Sequence, residues 1–379
     1  MTTPVNLPIW ADEPPLHLPQ LAGEHEADAC VVGLGGSGLA ALRELLALGC
    51  SVIGIDAGPV GGGAAGRNGG FLLAGLASFH HKAAAQHGRP RARGLYRLTL
   101  DEIDRIETET PSAVRRTGSL RIAASDEEME DCERHLAALR ADGFPAEAYE
   151  GPEGRGVLIP TDGSFHPLRR CRLLAADAIA KGARLYEYSP AIELSGELVR
   201  TPFAEVRCRR TIVAVDGNLE RLLPETAGHV RTARLQMLAT APAPEVRVPR
   251  PVYARWGYEY WQQLEDGRVA LGGFRDLAGP AEWNGTGEPS AVVQQLLEAF
   301  LRERLGVTAP VTHRWAASVA YTPDGLPLLA EVRPGMWVTG AYSGTGNVVG
   351  ALCGRAAARL AAGPARAEPP LVAQLLWGG

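Results

Sequence analysis

Ala29-Cys-Val-Val-Gly-Leu-Gly-Gly-Ser-Gly-Leu-Ala-Ala-Leu-Arg43 reads as a short apolar strand, a glycine turn and the opening of a helix. Gly33, Gly35 and Gly38 supply the G-x-G-x-x-G spacing. The first glycine permits the sharp turn, the second lets a pyrophosphate approach the backbone, and the third lets helix and strand pack closely. The helix start, at Gly36 and Ser37, aims free N–H groups and a partial positive charge at the phosphates. A second apolar run, Ser51-Val-Ile-Gly-Ile-Asp56, ends in a carboxylate placed for a ribose, with Ala57 beside it. A lone glycine triad is weak evidence. Strand, triad, helix, strand and acid in that order point to an adenine dinucleotide.

The chain of 379 residues has a formal charge of −5 and no long basic block, which speaks against a nucleic-acid partner. Such a length suggests about two domains. No segment reads as a signal peptide or membrane span, so a cytoplasmic protein is expected. The six cysteines are scattered, without C-x-x-C or histidine pairing at metal spacing, so neither a metal site nor disulfides are expected. Cys30 and Cys353 read as inert buried thiols. Asp126-Glu-Glu-Met-Glu-Asp131 reads as the acidic first turn of a helix after Ser125.

Residues 1–24 form an extended, proline-rich leader. Strand-like Gly118–Ala124 precedes a helix at Glu127–Arg140, and a further helix is expected at Leu173–Lys181. Thr211-Ile-Val-Ala-Val215 has the composition of a buried parallel strand. From about 230 to 320 the segments Arg231–Thr240, Val252–Leu264 and Arg268–Phe274 follow one another, with a hairpin turn at Asp266-Gly267, as in an antiparallel sheet. A last strand, Met336–Gly340, leads through a glycine turn into a helix at Gly344–Ala361. The expected division is a nucleotide domain of residues 25–90, 155–220 and 322–379, with a substrate domain of residues 91–154 and 221–321.

These segments, in this order, resemble the D-amino-acid oxidase superfamily of FAD-dependent amine oxidoreductases over nearly the whole chain. The resemblance rests on Gly33–Gly38, Gly66-Arg-Asn-Gly-Gly70, Gly163-Ser-Phe-His-Pro167, Thr211–Gly217, Tyr321–Pro327 and Gly340-Ala-Tyr-Ser-Gly-Thr-Gly-Asn347. The second motif and Trp10 look closest to the γ-glutamylputrescine oxidase and glycine oxidase-like branch. The resemblance implies a mixed α/β fold: a Rossmann-like FAD-binding domain of the glutathione-reductase type, with an inserted, mostly antiparallel substrate sheet. It implies FAD contacts from Gly66, Arg67, Asn68, Gly69 and Gly70, and from Ala191, Ala214, Asp216 and Gly217. It adds Gly340, Ser343, Gly344, Thr345, Gly346 and Asn347. The last turn would offer N–H groups to the charge of a reduced flavin.

The family's chemistry passes a hydride from the carbon beside an amine to flavin N5, giving an imine that hydrolyses to a carbonyl product. Oxygen or another acceptor then reoxidises the flavin. Relatives with covalent flavin carry a cysteine at the position of Ala317, so noncovalent FAD is expected. Relatives acting on small amino acids carry an arginine near Val319. Its absence favours larger or carboxylate-poor amines over glycine- or sarcosine-type substrates, unless Arg255 or Arg275 replaces it. His166, Tyr321, Tyr342 and Arg255 are the candidate catalytic residues, with His80 and His81 weaker ones. A structural, hydrogen-bonding role for His166 is an equal alternative. Tyr253, Trp256, Tyr258, Tyr260, Trp261 and Trp315 either wall the substrate site, where they could receive a cationic tail, or simply build the sheet's core. A flavoprotein subunit of a larger dehydrogenase or modification complex is the reading from another class.

Overall fold

The structure is a computed structural model that describes residues 6–377. Apolar runs buried on both faces become parallel strands, because helical crossovers cover both sides of such a sheet. Arg184–Tyr186, Val52–Ile55, Gly23–Val32, Ala204–Val213 and Met336–Gly340 pair side by side, all parallel. Leu328–Arg333 adds an antiparallel edge on one side, and Leu198–Thr201 with Glu193–Leu194 pairs antiparallel along the first half of Ala204–Val213. Helices Gly36–Ala47, Pro167–Ala180 and Val349–Ala362 pack together on one face, where Val31, Leu39, Leu42, Leu174 and Ala357 meet. The expected strand at Thr211–Val215 is the end of Ala204–Val213.

The second sheet has the order Val311–Tyr321, Arg231–Pro242, Arg268–Gly273, Glu259–Gln263, Val252–Ala254, Ser119–Ile122, Gly154–Ile159, Glu147–Gly151. Every neighbouring pair is antiparallel except Val252–Ala254 with Ser119–Ile122. Strand alternation sends successive side chains to opposite faces. Val252 and Trp261 pair on the face covered by helix Ala291–Glu303, against Val293, Leu297 and Leu301. Tyr253 and Tyr260 pair on the opposite face, their rings stacked with centroids 5.5 Å apart.

Several expectations differ from what forms. Val252–Leu264 is not one strand: Arg255, Trp256 and Gly257 have φ values of 49°, 53° and 88°, and this left-handed turn splits it in two. The helix expected at Leu173 begins at Pro167, whose fixed φ suits a first helical position. The helix expected from Gly344 begins at Val349 and is followed by a further helix, Leu371–Trp377. Ser125 does cap helix Asp126–Ala141, its Oγ accepting from the Glu128 N–H. The domain boundary at 155 cuts through Gly154–Ile159, a strand of the second sheet. Helix Arg89–Glu109, assigned to the substrate domain, lies against the nucleotide layer, where Arg355 pairs with its Glu102 at 3.1 Å and Glu109 at 2.7 Å. All six cysteines are free and buried.

Helices Gly36–Ala47 and Val349–Ala362 meet closely at Gly354, where a Cβ would overlap the Ser37 carbonyl oxygen. Gly354→Ala is therefore expected to lower stability by about 1–3 kcal/mol through overpacking, despite alanine's better helix propensity. A denaturation midpoint equal to or above that of the parent would contradict this packing.

Candidate functional site

A continuous cavity of about 1150 Å³ lies between the two sheets. It exceeds the range of about 300–1,000 Å³ usual for small-molecule sites, as an extended dinucleotide with a substrate beside it requires. At one end Gly33, Gly35, Gly36, Ser37, Asp56, Ala57, Ala191 and Ala214 line it. Gly33 has φ +106°, and a Cβ there would stand 2.5 Å from the Ala214 carbonyl oxygen, so only glycine makes the turn. Gly38 faces away from the cavity, packed on the Gly33 carbonyl. Asp56 accepts from the amides of Leu34 (2.7 Å) and Gly58 (2.8 Å), which fixes its carboxylate at the cavity wall. Remaining lone pairs can take ribose hydroxyls.

Arg170 lies beside this cradle, and the sequence motifs did not reveal it. It is 2 % exposed, lines the cavity, and a Cβ built on Gly36 would stand 3.2 Å from its Nη1. Its Nε and Nη2 have no hydrogen-bond partner among the described residues. Burial depresses its pKa, and an unpaired buried guanidinium costs several kcal/mol unless an anion joins it. The amides of Gly35 and Gly36 likewise have no acceptor among the described residues. This donor set fits the pyrophosphate of FAD.

The middle of the cavity meets Arg67, Asn68 and Gly69, while Gly66 and Gly70 serve the packing behind them. The loop is held by other elements through its backbone. Trp315 Nε1 donates to the Arg67 carbonyl (2.7 Å), Trp10 Nε1 to the Asn68 carbonyl (2.8 Å), and Gln262 Nε2 to the Gly69 carbonyl. The Asn68 side chain accepts from the Gly70 amide (2.8 Å) and from Asn347 Nδ2 (3.2 Å). The Arg67 guanidinium binds the Ala316 carbonyl (2.8 Å) and Asn6, so it is spent on holding the loop.

At the far end Ser343, Gly344, Thr345, Gly346 and Asn347 line the cavity. The amides of Gly346 and Asn347 have no acceptor among the described residues, and the helical bonds begin with Val349 N–H to the Thr345 carbonyl. Gly340 sits behind this turn, against the Val215 carbonyl. Asp216 and Gly217 reach the cavity wall. The buried Asp216 carboxylate accepts from the amides of Tyr342 and Ala320, both at 3.1 Å, and burial raises its pKa to about 6.

Three of the four catalytic candidates do not present their functional groups to the cavity. His166 lies outside its lining; it caps helix Pro167–Ala180 by accepting the Arg169 amide on Nδ1 at 3.1 Å, and its ring packs edge-on to Trp10. Arg255 is also outside, bound bidentately to Asp276 (2.7 and 2.9 Å) and to Glu259 (2.6 Å). Tyr342 borders the cavity, but its hydroxyl donates to Ser37 Oγ (2.7 Å) and meets Thr339 Oγ1 (3.0 Å). Tyr321 does line the cavity, with its phenol pushed up to about 12 by burial. His80 and His81 pair with Asp142 and Asp131, away from this space.

Arg275 stands in the cavity instead, its guanidinium carbon 4.7 Å from the Trp283 ring centroid, 4.8 Å from Tyr321 and 5.7 Å from Tyr258. It makes no hydrogen bond or ion pair among the described residues. The aromatic side chains divide. Tyr253, Trp256, Tyr258 and Tyr260 line the cavity, whereas Trp261 packs under the covering helix and Trp315 is fully buried.

Two outcomes follow from this geometry. Arg170→Met should weaken FAD retention by at least tenfold, measured as the dissociation constant of the reloaded apoprotein; unchanged affinity would remove Arg170 from the phosphate site. Burial and the nearby Arg169 charge hold His166 down at about 4, below its ordinary 6.5. The fold thus binds fewer protons than the unfolded chain between these values, so stability is full above pH 6.5 and falls as pH drops toward 4. His166→Asn, which keeps a capping oxygen, should flatten that decline in denaturation midpoints.

Residues 28–360 match the family described as DAO, FAD dependent oxidoreductase. The chain is 26 % identical over 370 residues to a probable oxidoreductase OrdL of Rhizobium meliloti, covering 91 % of this chain and 85 % of that protein. It is 28 % identical over 362 residues to the gamma-glutamylputrescine oxidoreductase of Escherichia coli, covering 89 % and 84 %. Among solved structures, glycine oxidase from Geobacillus kaustophilus superposes with a TM-score of 0.72 at 21 % identity, covering 91 % of this chain and 96 % of that one. L-Proline dehydrogenase from P. horikoshii gives 0.74 at 18 % identity, covering 92 % and 96 %. The glycine cradle, the unpaired donors along the cavity and the family match agree, and the chain belongs to the DAO family of FAD-dependent oxidoreductases.

Proposed function

We propose that this oxidoreductase breaks a C–H bond beside the nitrogen of an amino acid, with Arg275 holding the substrate's carboxylate. The observation that carries the reading is the unpaired Arg275 guanidinium, framed by Tyr258, Trp283 and Tyr321 on the same cavity as the glycine cradle. A charged, planar fork with no acceptor among the described residues suits a carboxylate and repels a cationic tail. This reverses the preference inferred from Val319. That residue lies on a strand facing Ala233, and the guanidinium comes from the end of another strand in the same sheet.

Bound FAD supplies the two-electron acceptor. Arg67, Asn68 and Gly69 would run along its middle, Arg170 and the Gly35–Gly36 amides at its phosphates, and the Gly346–Asn347 amides at its far end. The chain's own work is positioning. Arg275 fixes the carboxylate, the Tyr253–Tyr260 stack limits where the side chain lies, and Tyr321 stays a neutral phenol across the working pH range. Among the described residues no carboxylate or histidine pairs with Arg275, in keeping with an oxidation that needs no strong base. The imine product hydrolyses in water to a carbonyl compound and an amine. Oxygen or another acceptor accepts the electrons in turn, and we assign the protein to the cytoplasm. Among the described residues no helix is long and apolar enough to cross a membrane.

Anaerobic flavin bleaching by a panel of amino acids and simple amines tests the reading. Arg275→Gln should raise the KM for a reactive amino acid by about 10- to 100-fold, the loss of one charged hydrogen-bonding partner. Bleaching by carboxylate-free amines alone, unaffected by the substitution, would overturn it. Ala317 lines the cavity where covalent relatives carry cysteine, so acid should release the FAD from the polypeptide; flavin that precipitates with the chain would refute noncovalent binding.

A further inference from the structure

Beside the main cavity lies a second space of about 50 Å³, which shares with it residues 74–79, Arg121, Tyr253 and Trp256 as walls. Three of its lining residues carry buried polar atoms without a partner among the described residues: Tyr96 Oη, Arg121 Nε and His135 Nε2. Tyr96 is 3 % and His135 4 % exposed. His135 Nδ1 accepts the His80 backbone N–H at 2.9 Å, so the neutral ring must carry its proton on Nε2. Burial pushes that ring's pKa well down, which keeps it neutral. The Arg121 guanidinium, 4.8 Å from the Tyr253 ring, makes no ion pair or hydrogen bond among the described residues.

The surroundings do not supply the missing acceptors. Asp162, which feels the Arg121 charge, already accepts from Ser119 Oγ (2.6 Å) and the Ala74 amide (2.9 Å). Asp142 is taken by His80 and Arg89, and Asp131 by Lys82, His81 and Trp256. The chamber therefore offers an imidazole N–H, a phenol O–H and a fixed guanidinium. Two or three donors around one positive charge satisfy the two oxygens of a carboxylate. A space of this size holds little more than one such group. The remainder of the molecule must lie in the main cavity.

We propose that this chamber is a distal-carboxylate subsite, so that the substrate is an amino acid carrying a second carboxylate, one end on Arg275 and the other on Arg121, Tyr96 and His135. The assignment rests on the Arg275 reading above. It also gives the aromatic wall a different task from receiving a cationic tail: the Tyr253–Tyr260 stack becomes the apolar span between two anionic ends.

The test uses the FAD-loaded protein and reads dissociation constants from the flavin absorbance change on adding butyrate, succinate, glutarate or adipate. At least one dicarboxylate should bind ten or more times tighter than butyrate. Arg121→Gln and Tyr96→Phe should each abolish that preference while leaving the butyrate constant within twofold; the phenylalanine variant keeps the test available if the other fails to fold. Dicarboxylates no tighter than butyrate, or equal weakening of both ligands in the variants, would overturn the subsite. Two equivalents of butyrate, the second lost in Arg121→Gln, would show an independent anion site and overturn the single-substrate assignment. Arg275→Gln separates the two readings: a butyrate constant that ignores it overturns the Arg275 clamp, while the dicarboxylate comparison still decides the chamber.

Discussion

The Asp216 carboxylate joins the two halves of the molecule. It sits just beyond the parallel strand Ala204–Val213 and accepts from the Ala320 amide at the end of the second sheet and from the Tyr342 amide at the entry to the C-terminal turn. Three segments distant in sequence are thereby held at one point, which sets the relative position of the glycine cradle, the Ser343–Asn347 turn and the substrate wall. Burial raises the group's pKa to about 6, the cost of holding a charge there. Backbone amides meet that cost in part, since the Ala320 and Tyr342 N–H groups stabilise the ionised form. Tyr342 extends the same junction, its hydroxyl reaching Ser37 at the opening of the first helix.

Around the cavity the unpaired polar groups are predominantly donors. Arg170 with the Gly35–Gly36 amides, Arg275 within its three rings, the Gly346–Asn347 amides and the Arg121 chamber each lack acceptors. Acidic residues nearby are instead consumed in pairs that shape the walls, as Asp276 and Glu259 consume Arg255. A protein of formal charge −5 thus keeps a local excess of positive charge where its ligands bind. Such an interior costs stability in the empty protein, and anionic ligands would remove that cost on binding.

The nucleotide layer was legible because its requirements fall on the backbone. A turn with φ +106° at Gly33 and a helix seated on a carbonyl at Gly38 accept only glycine, so the chemistry is written in residue type and spacing. The alternation of Tyr253 and Tyr260 against Val252 and Trp261 was present in the sequence, but which face would meet the cavity depended on where helix Ala291–Glu303 lay. Nothing local marks Arg255 as paired and Arg275 as free. Asp276 decides that, through a left-handed turn at Arg255–Gly257 that breaks an otherwise continuous strand pattern.

His166 and Arg170 make the same point four positions apart on one helix. The histidine stood out because it precedes a proline in a recognisable motif, yet its ring serves as the helix cap. The arginine carried no local signal; an arginine on an amphipathic helix normally faces water. One turn beyond the cap, however, its side chain points inward, under the opening of the helix Gly36–Ala47, where a second helix and the parallel sheet close off solvent. Placing a guanidinium there without a carboxylate partner is unfavourable in the isolated chain. It becomes favourable only with an anion at the glycine cradle, so the side chain that breaks the rule for buried charge also marks where the ligand's negative charge belongs.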